Sequence, residues 1–169
     1  SQFHGIEIED FPSQIARVAM RLVDHQMNML VSEHYGTHFA RIPLKSVADI
    51  QNAYALSVLW PAVDYIFGKP PFLGKAEQNQ IQKANMLKVF GSNRANNLDF
   101  VASWYEKSSK IMHTYPNVKT AFVSTNSIIQ GEQVPLLWYE ILINRDQKIN
   151  FAHQTFQWKN AARGQAAVH

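Results

Sequence analysis

Apolar residues recur every three or four positions near the start of the chain, at Phe11, Ile15, Val18, Leu22, Met29 and Leu30. That spacing predicts an amphipathic helix with Asp10 as cap, Pro12 in the first turn and Gly36 as the stop. A second helical pattern opens at Ser46, with Asp49 three residues on as a weaker relative of the capping box, and sets Val47, Ile50, Tyr54 and Val58 on one side. Pro61 kinks that helix or starts a new one, because proline offers no amide hydrogen. Residues 53–67 form the longest apolar stretch, about fifteen positions against the roughly twenty that span a bilayer, and Ser57, Pro61 and Asp64 interrupt it. It reads as a buried helix rather than a membrane span. Gly68, Pro70, Pro71 and Gly74 then mark a rigid loop. A third helix is predicted over 76–90 with Gly91 as its stop. A fourth, capped by Asn96 or Asn97, places Leu98, Val101, Tyr105, Ser108 and Met112 on one side and ends at Pro116.

After Pro116 the apolar period changes from about 3.6 to 2. Residues 118–129, 134–144 and 148–158 are rich in β-branched and aromatic side chains, and short polar turns at 130–132 and 145–147 separate them. Connections that short demand antiparallel neighbours, so a three-stranded antiparallel meander is expected, with 134–144 at its centre. Helices followed by strands give an α+β class, with one domain over 1–158 and a tail over 159–169. The densest apolar runs, 53–67 and 136–143, are expected to pack together as the core. This order of elements resembles the helix-backed cones of the cystatin-like and nuclear-transport-factor-2-like group, which implies a concave sheet able to form a pocket.

Composition narrows the chemistry. The chain has 169 residues, 46% hydrophobic and 17% charged, enough for an ordinary core without a staple. The absence of cysteine removes disulfides, thiolate metal sites and cysteine nucleophiles together. The formal charge of +3 is modest but unevenly spread: residues 1–67 carry −3, residues 68–110 carry +4 and residues 111–169 carry +2. Within the basic middle, Lys69, Lys75, Lys83, Lys88 and Arg94, interleaved with Phe72, Phe90, Trp104 and Tyr105, are the candidate contacts to a nucleic acid. Acidic residues Glu7, Glu9 and Asp10 precede the first basic residue, Arg17, so the start does not read as an export signal. A cytoplasmic location is favoured, with a soluble domain of a membrane-anchored protein as the alternative.

Motifs for catalysis are weak. His34 and His38 lie four apart, with Asp24, His25, Glu33, His113 and His153 as further ligands on offer, but Gly36 interrupts the helix between the pair. Histidines that complement a helix carboxyl end account for them more simply, and no metal is assigned. The segment 68–75 has five residues between its glycines, prolines without amide hydrogens, and Ala76 after the lysine, so it is no phosphate-binding loop. It can instead present Phe72 for recognition. Asp64 and Glu140 are the carboxylates to consider in a pocket, and Glu140, in the middle of the most apolar strand, favours the solvent side of the sheet. No Gly-x-Ser-x-Gly elbow is present, and no catalytic residue or cofactor is assigned.

Three functions follow. The preferred one is a non-catalytic protein-interaction or assembly module, self-associating or part of a larger complex. Its surface would comprise Phe72, Phe151, His153 and Trp158, with 148–158 as an edge strand open to pairing. The second is a small-molecule pocket protein or enzyme using Asp64 or Glu140. The third is a nucleic-acid binder acting through 68–110.

Overall fold

A computed structural model describes residues 2–36 and 48–153. The chain divides into two compact units, 1–61 and 62–169.

In the first unit, β1 (Phe3–Glu7) leads into α1 (Asp10–Tyr35), which returns to β2 (Ala48–Asn52), and β2 lies parallel to β1 with Phe3 opposite Ala48 and Glu7 opposite Asn52. A parallel pair needs a crossover of a dozen or more residues, and α1 provides it. The helix begins one residue earlier than the predicted cap at Asp10 implies. Glu9 is the cap, Asp10 places a carboxylate in the first turn, and buried Ser13 returns its hydroxyl to the Asp10 carbonyl at 2.7 Å. Gly36, at φ 67°, ends it in the left-handed region that favours glycine. Another glycine sits at a close approach: a Cβ on Gly5 would stand 2.7 Å from Ile50 Cδ1 on the facing strand, and the tip of that side chain would have to shift. Arg17 pins α1 to the sheet by donating to the Ile50 carbonyl at 2.7 Å. The predicted apolar stripe of α1 is real, yet among the described residues nothing covers it, with Phe11 72% and Leu22 58% exposed.

The second helix predicted from Ser46 is absent. Ser46 lies outside the described residues, and 48–52 form a strand because they find a ladder partner more than forty residues away, information that local periodicity does not carry. Residues 53–67 are likewise not a buried helix. They form turns and then β3 (Tyr65–Gly68), with Leu56 buried but Leu59 and Phe67 largely exposed.

In the second unit β3 pairs with β4 (Lys119–Phe122), again parallel, Tyr65 opposite Lys119 and Gly68 opposite Phe122. Between them run α2 (Gln80–Phe90), a 3₁₀ turn (Asn93–Asn97) and α3 (Ala102–Thr114). Asn79 and Gln82 close a reciprocal capping box at the head of α2, and Gly91 closes its tail at φ 66°. Met86, Val89, Phe90, Leu98, Phe100, Val101, Leu137 and Ile141 are buried and form the core of this unit. Edge-to-face contacts extend it, Phe100 to Trp104 at 5.2 Å and Tyr105 to Phe122 and Trp138 at 5.2 and 5.4 Å.

The three-stranded antiparallel meander is overturned. Residues 119–122 are a strand, but a parallel one. Val134–Asn144 is a π-helix, and 148–153 form no strand, while 154–158 lie outside the described residues. A short run such as Leu136-Leu137-Trp138-Tyr139, apolar on every side, cannot be told from a buried helix by periodicity alone. The cone resemblance falls with the meander.

One lysine of α3 sets a pH dependence. Burial pulls the half-buried Lys107 ammonium down to about 8 from its ordinary 10.5. The folded chain then releases this proton at lower pH than the unfolded chain, so stability rises as pH climbs from about 8 to about 10.5. Urea midpoints at the two ends of that window should rise for the native chain and show a smaller rise for Lys107→Met; equal rises would refute the assignment.

Candidate functional site

The loop after β3 is the first place where chemistry-bearing side chains gather. Lys69, Pro70, Pro71 and Phe72 follow the carboxyl end of β3 directly, and the Lys69 ammonium stands 4.3 Å from the Phe72 ring centroid. Pro70 is buried, Phe72 half-buried and Lys69 exposed. The loop is tied to the core where the Phe100 amide donates to the Leu73 carbonyl at 2.9 Å. Prolines fix two φ angles here and therefore hold the ring with little entropy left to lose. Sequence reading singled out Phe72 and Lys69, and the structure brings them together.

A polar cleft adjoins that loop, lined by Lys75, Asn97, Asp99, Gln130, Glu132 and Gln133. Only Lys75 among these was a candidate from sequence. The signal that could have found the rest was the Gln-Gly-Glu-Gln run at 130–133, which reads as an ordinary polar turn.

A third cluster is ionic and structural. Glu106 on α3 is 1% exposed and receives both arms of Arg145, at 2.8 and 2.9 Å, while Arg145 also reaches Ser109 at 2.9 Å and Glu140 at 3.3 Å. Arg94 meets Glu140 at 3.2 Å, and Lys110 lies 3.4 Å from Glu106. Glu140 is thus on a π-helix rather than on the face of a sheet, with its side chain 22% exposed. The Asn144 amide donating to it at 2.8 Å, with the charges of Arg145 and Arg94, holds its carboxyl below the usual range.

In the first unit, Glu7 ends β1 at its carboxyl edge. Its Oε1 accepts from the Glu9 amide at 3.0 Å, and Asn52 braces the turn by donating to the Glu7 and Ile8 carbonyls at 3.1 and 2.9 Å.

The remaining sequence candidates are scattered. Asp64 is exposed, its carbonyl accepting from the Lys119 amide at 3.0 Å. Lys83 and Lys88 are exposed on α2, and Arg94 is engaged with Glu140. Phe151 is 80% exposed with the His153 ring 6.4 Å away, on no strand edge, and Trp158 lies outside the described residues. His25 and His34 are on α1, His113 is on α3, and His38 lies outside the described residues. Among the described residues no three His, Asp or Glu side chains form a metal-binding group, and no helix is long and apolar enough to cross a membrane.

Known proteins resembling the chain agree with one another. It is 42% identical to DNA methyltransferase A of Bacillus subtilis (strain 168) over 178 aligned residues, covering 99% of this chain and 20% of that protein. It also matches the solved structure of the type IIL restriction-modification enzyme MmeI in complex with DNA, with a TM-score of 0.88 and 54% identity, covering 98% of this chain and 23% of that one. The chain therefore spans about a fifth of the length of the relatives it matches. These likenesses overturn the assembly-module reading, which rested on the lack of a recognised catalytic motif, on the aromatic content and on an edge strand over 148–158, of which 148–153 form no strand. All of residues 1–169 match the family described as "MmeI, DNA-methyltransferase domain", and the chain belongs to that family.

Proposed function

We propose that the chain works within a DNA methyltransferase and that the loop following β3 receives the base to be methylated. The observation that carries this reading is the Lys69–Phe72 pair on a proline-stiffened loop at the carboxyl end of a parallel strand. Ligands of open parallel sheets bind outside the carboxyl ends of the strands. Methyltransferases extrude their target base from the duplex and hold it by stacking on aromatic or apolar side chains and by hydrogen bonds to its edge. Phe72 offers the stacking surface, and Lys69 supplies positive charge for the adjoining phosphate. The name of the Bacillus relative and the DNA-bound state of the MmeI structure support DNA as the partner.

The reaction also needs a methyl donor, and a ribose-bearing sulfonium compound supplies an electrophilic methyl group. Glu7 fits such a ligand. An acidic residue past a parallel strand takes ribose hydroxyls in doubly wound sheets, and Glu7 already has one oxygen fixed by the Glu9 amide, leaving Oε2 without a protein partner among the described residues. Asn52 holds the backbone that carries it.

Phe72→Ala in the full-length protein should weaken handling of the target base by about 1–3 kcal/mol, the usual worth of a stacked base. Methyl incorporation into DNA locates the modified base, and 2-aminopurine at that position reports extrusion by its fluorescence. The expected result is methylation by the native protein, with both methylation and the fluorescence rise reduced in the variant. No methylation by the native protein, or an unchanged variant, would overturn the proposal.

A further inference from the structure

The polar cleft beside the β3 loop has an open volume of about 240 Å³, and the proposed handling of the target base leaves it unused. It is lined by Lys75 from the segment after β3, by Asn97 and Asp99 from the segment between α2 and α3, and by Gln130, Glu132 and Gln133 from the segment after β4.

Three of the six lining residues are carboxamides, and one is locked in place. Gln133 Oε1 accepts from the Asp99 amide at 3.2 Å while its Nε2 donates to Asp99 Oδ2 at 2.8 Å. Both ends of that amide are engaged, so its orientation is set by its partners. Gly131, at φ 54°, makes the left-handed turn between Gln130 and Glu132. The ionised lining groups, Lys75 against Asp99 and Glu132, sum to a net negative charge, which disfavours a phosphate as the main occupant. A carboxamide offers a donor and an acceptor side by side, the pattern that pairs with the amino group and ring nitrogen on one edge of adenine.

We propose that this cleft reads the edge of an adenine in DNA outside the methylated base, with Gln130 as the reading residue and the Gln133–Asp99 pair as a fixed part of the cleft wall. The inference rests on the DNA-methyltransferase reading and adds a specificity-determining site to it.

Methylation of a randomised DNA library by the full-length protein, native and Gln130→Ala, followed by sequencing of the modified molecules, tests it. The native protein should require adenine at a position other than the methylated base. The variant should lose that preference by about 5- to 150-fold at that position alone, through weaker methylation of the adenine-containing sequences, while keeping its other preferences. Unchanged preferences, a uniform fall across all sequences, or relaxation at a position that specified another base would overturn the cleft assignment while leaving the methyltransferase reading intact. Absence of methylation by the native protein would overturn both.

Discussion

Arg145→Met should destabilise the second unit by about 3–5 kcal/mol, the cost of stripping a buried carboxylate of its partner. Glu106 is 1% exposed, and Arg145 supplies both of its short hydrogen bonds. Lys110 remains 3.4 Å away, but its side chain is 47% exposed, so solvent screens it and it replaces little of the lost attraction. The same substitution removes one partner from Ser109 on α3 and one from Glu140 on the π-helix. The charge pair joins α3 to the end of the π-helix, 39 residues apart in sequence, so its loss should appear as faster hydrogen exchange in α3 together with a lower urea midpoint. Pairing Arg145→Met with Glu106→Leu should recover most of the loss, since a buried ion pair replaced by apolar groups of similar size is often neutral. A single variant costing under about 1 kcal/mol would show that Glu106 is solvated or otherwise satisfied.

Phe100→Ala should cost a similar amount, about 3–5 kcal/mol, for a different reason. The ring is 2% exposed and packs edge to face on Trp104 at 5.2 Å, in a unit whose core also buries Leu98, Val101 and Met86. Removing it leaves a void whose lining loses dispersion contacts and can relax only in part. Its effect should also reach the candidate site, because the Phe100 amide holds the Leu73 carbonyl at the end of the Lys69–Phe72 loop. Phe100→Leu, which keeps much of the volume, should lose far less stability and keep that anchor of the loop. Denaturation of both variants checks the ordering; equal losses for Ala and Leu would mean that ring shape rather than volume matters.

Legibility from sequence followed the range of the interactions. α1 was readable at both ends because its signals are local: Asp10 and Pro12 in the first turn, Gly36 at the stop. The close of α2 at Gly91 and much of α3 were readable for the same reason. Of the strands, only β4 falls within a predicted one, 118–129, and its parallel pairing was not readable. β1 and β2 are five residues each and β3 and β4 four, too short for a period to declare itself, and each is a strand because of a partner more than forty residues away.

The candidate site divides in the same way. Phe72 and Lys69 stood out because aromatic, basic and proline residues are adjacent in the chain, and a stiff loop keeps such neighbours together in space. Gln130, Gln133, Asp99 and Asn97 did not, since they form a cleft only once the segments after β3, between α2 and α3, and after β4 come together. Glu140 shows the converse: its place in an apolar run suggested a strand and a choice between pocket and solvent, whereas folding gave it Arg94, Arg145 and Asn144. By itself the sequence determined the glycine stops of α1 and α2 and a stiff loop bearing Phe72, all consequences of side chains acting on their own few neighbours. Only the tertiary structure decided which strands pair, that they run parallel, and which charges and carboxamides meet, because those depend on contacts between segments that local patterning does not encode.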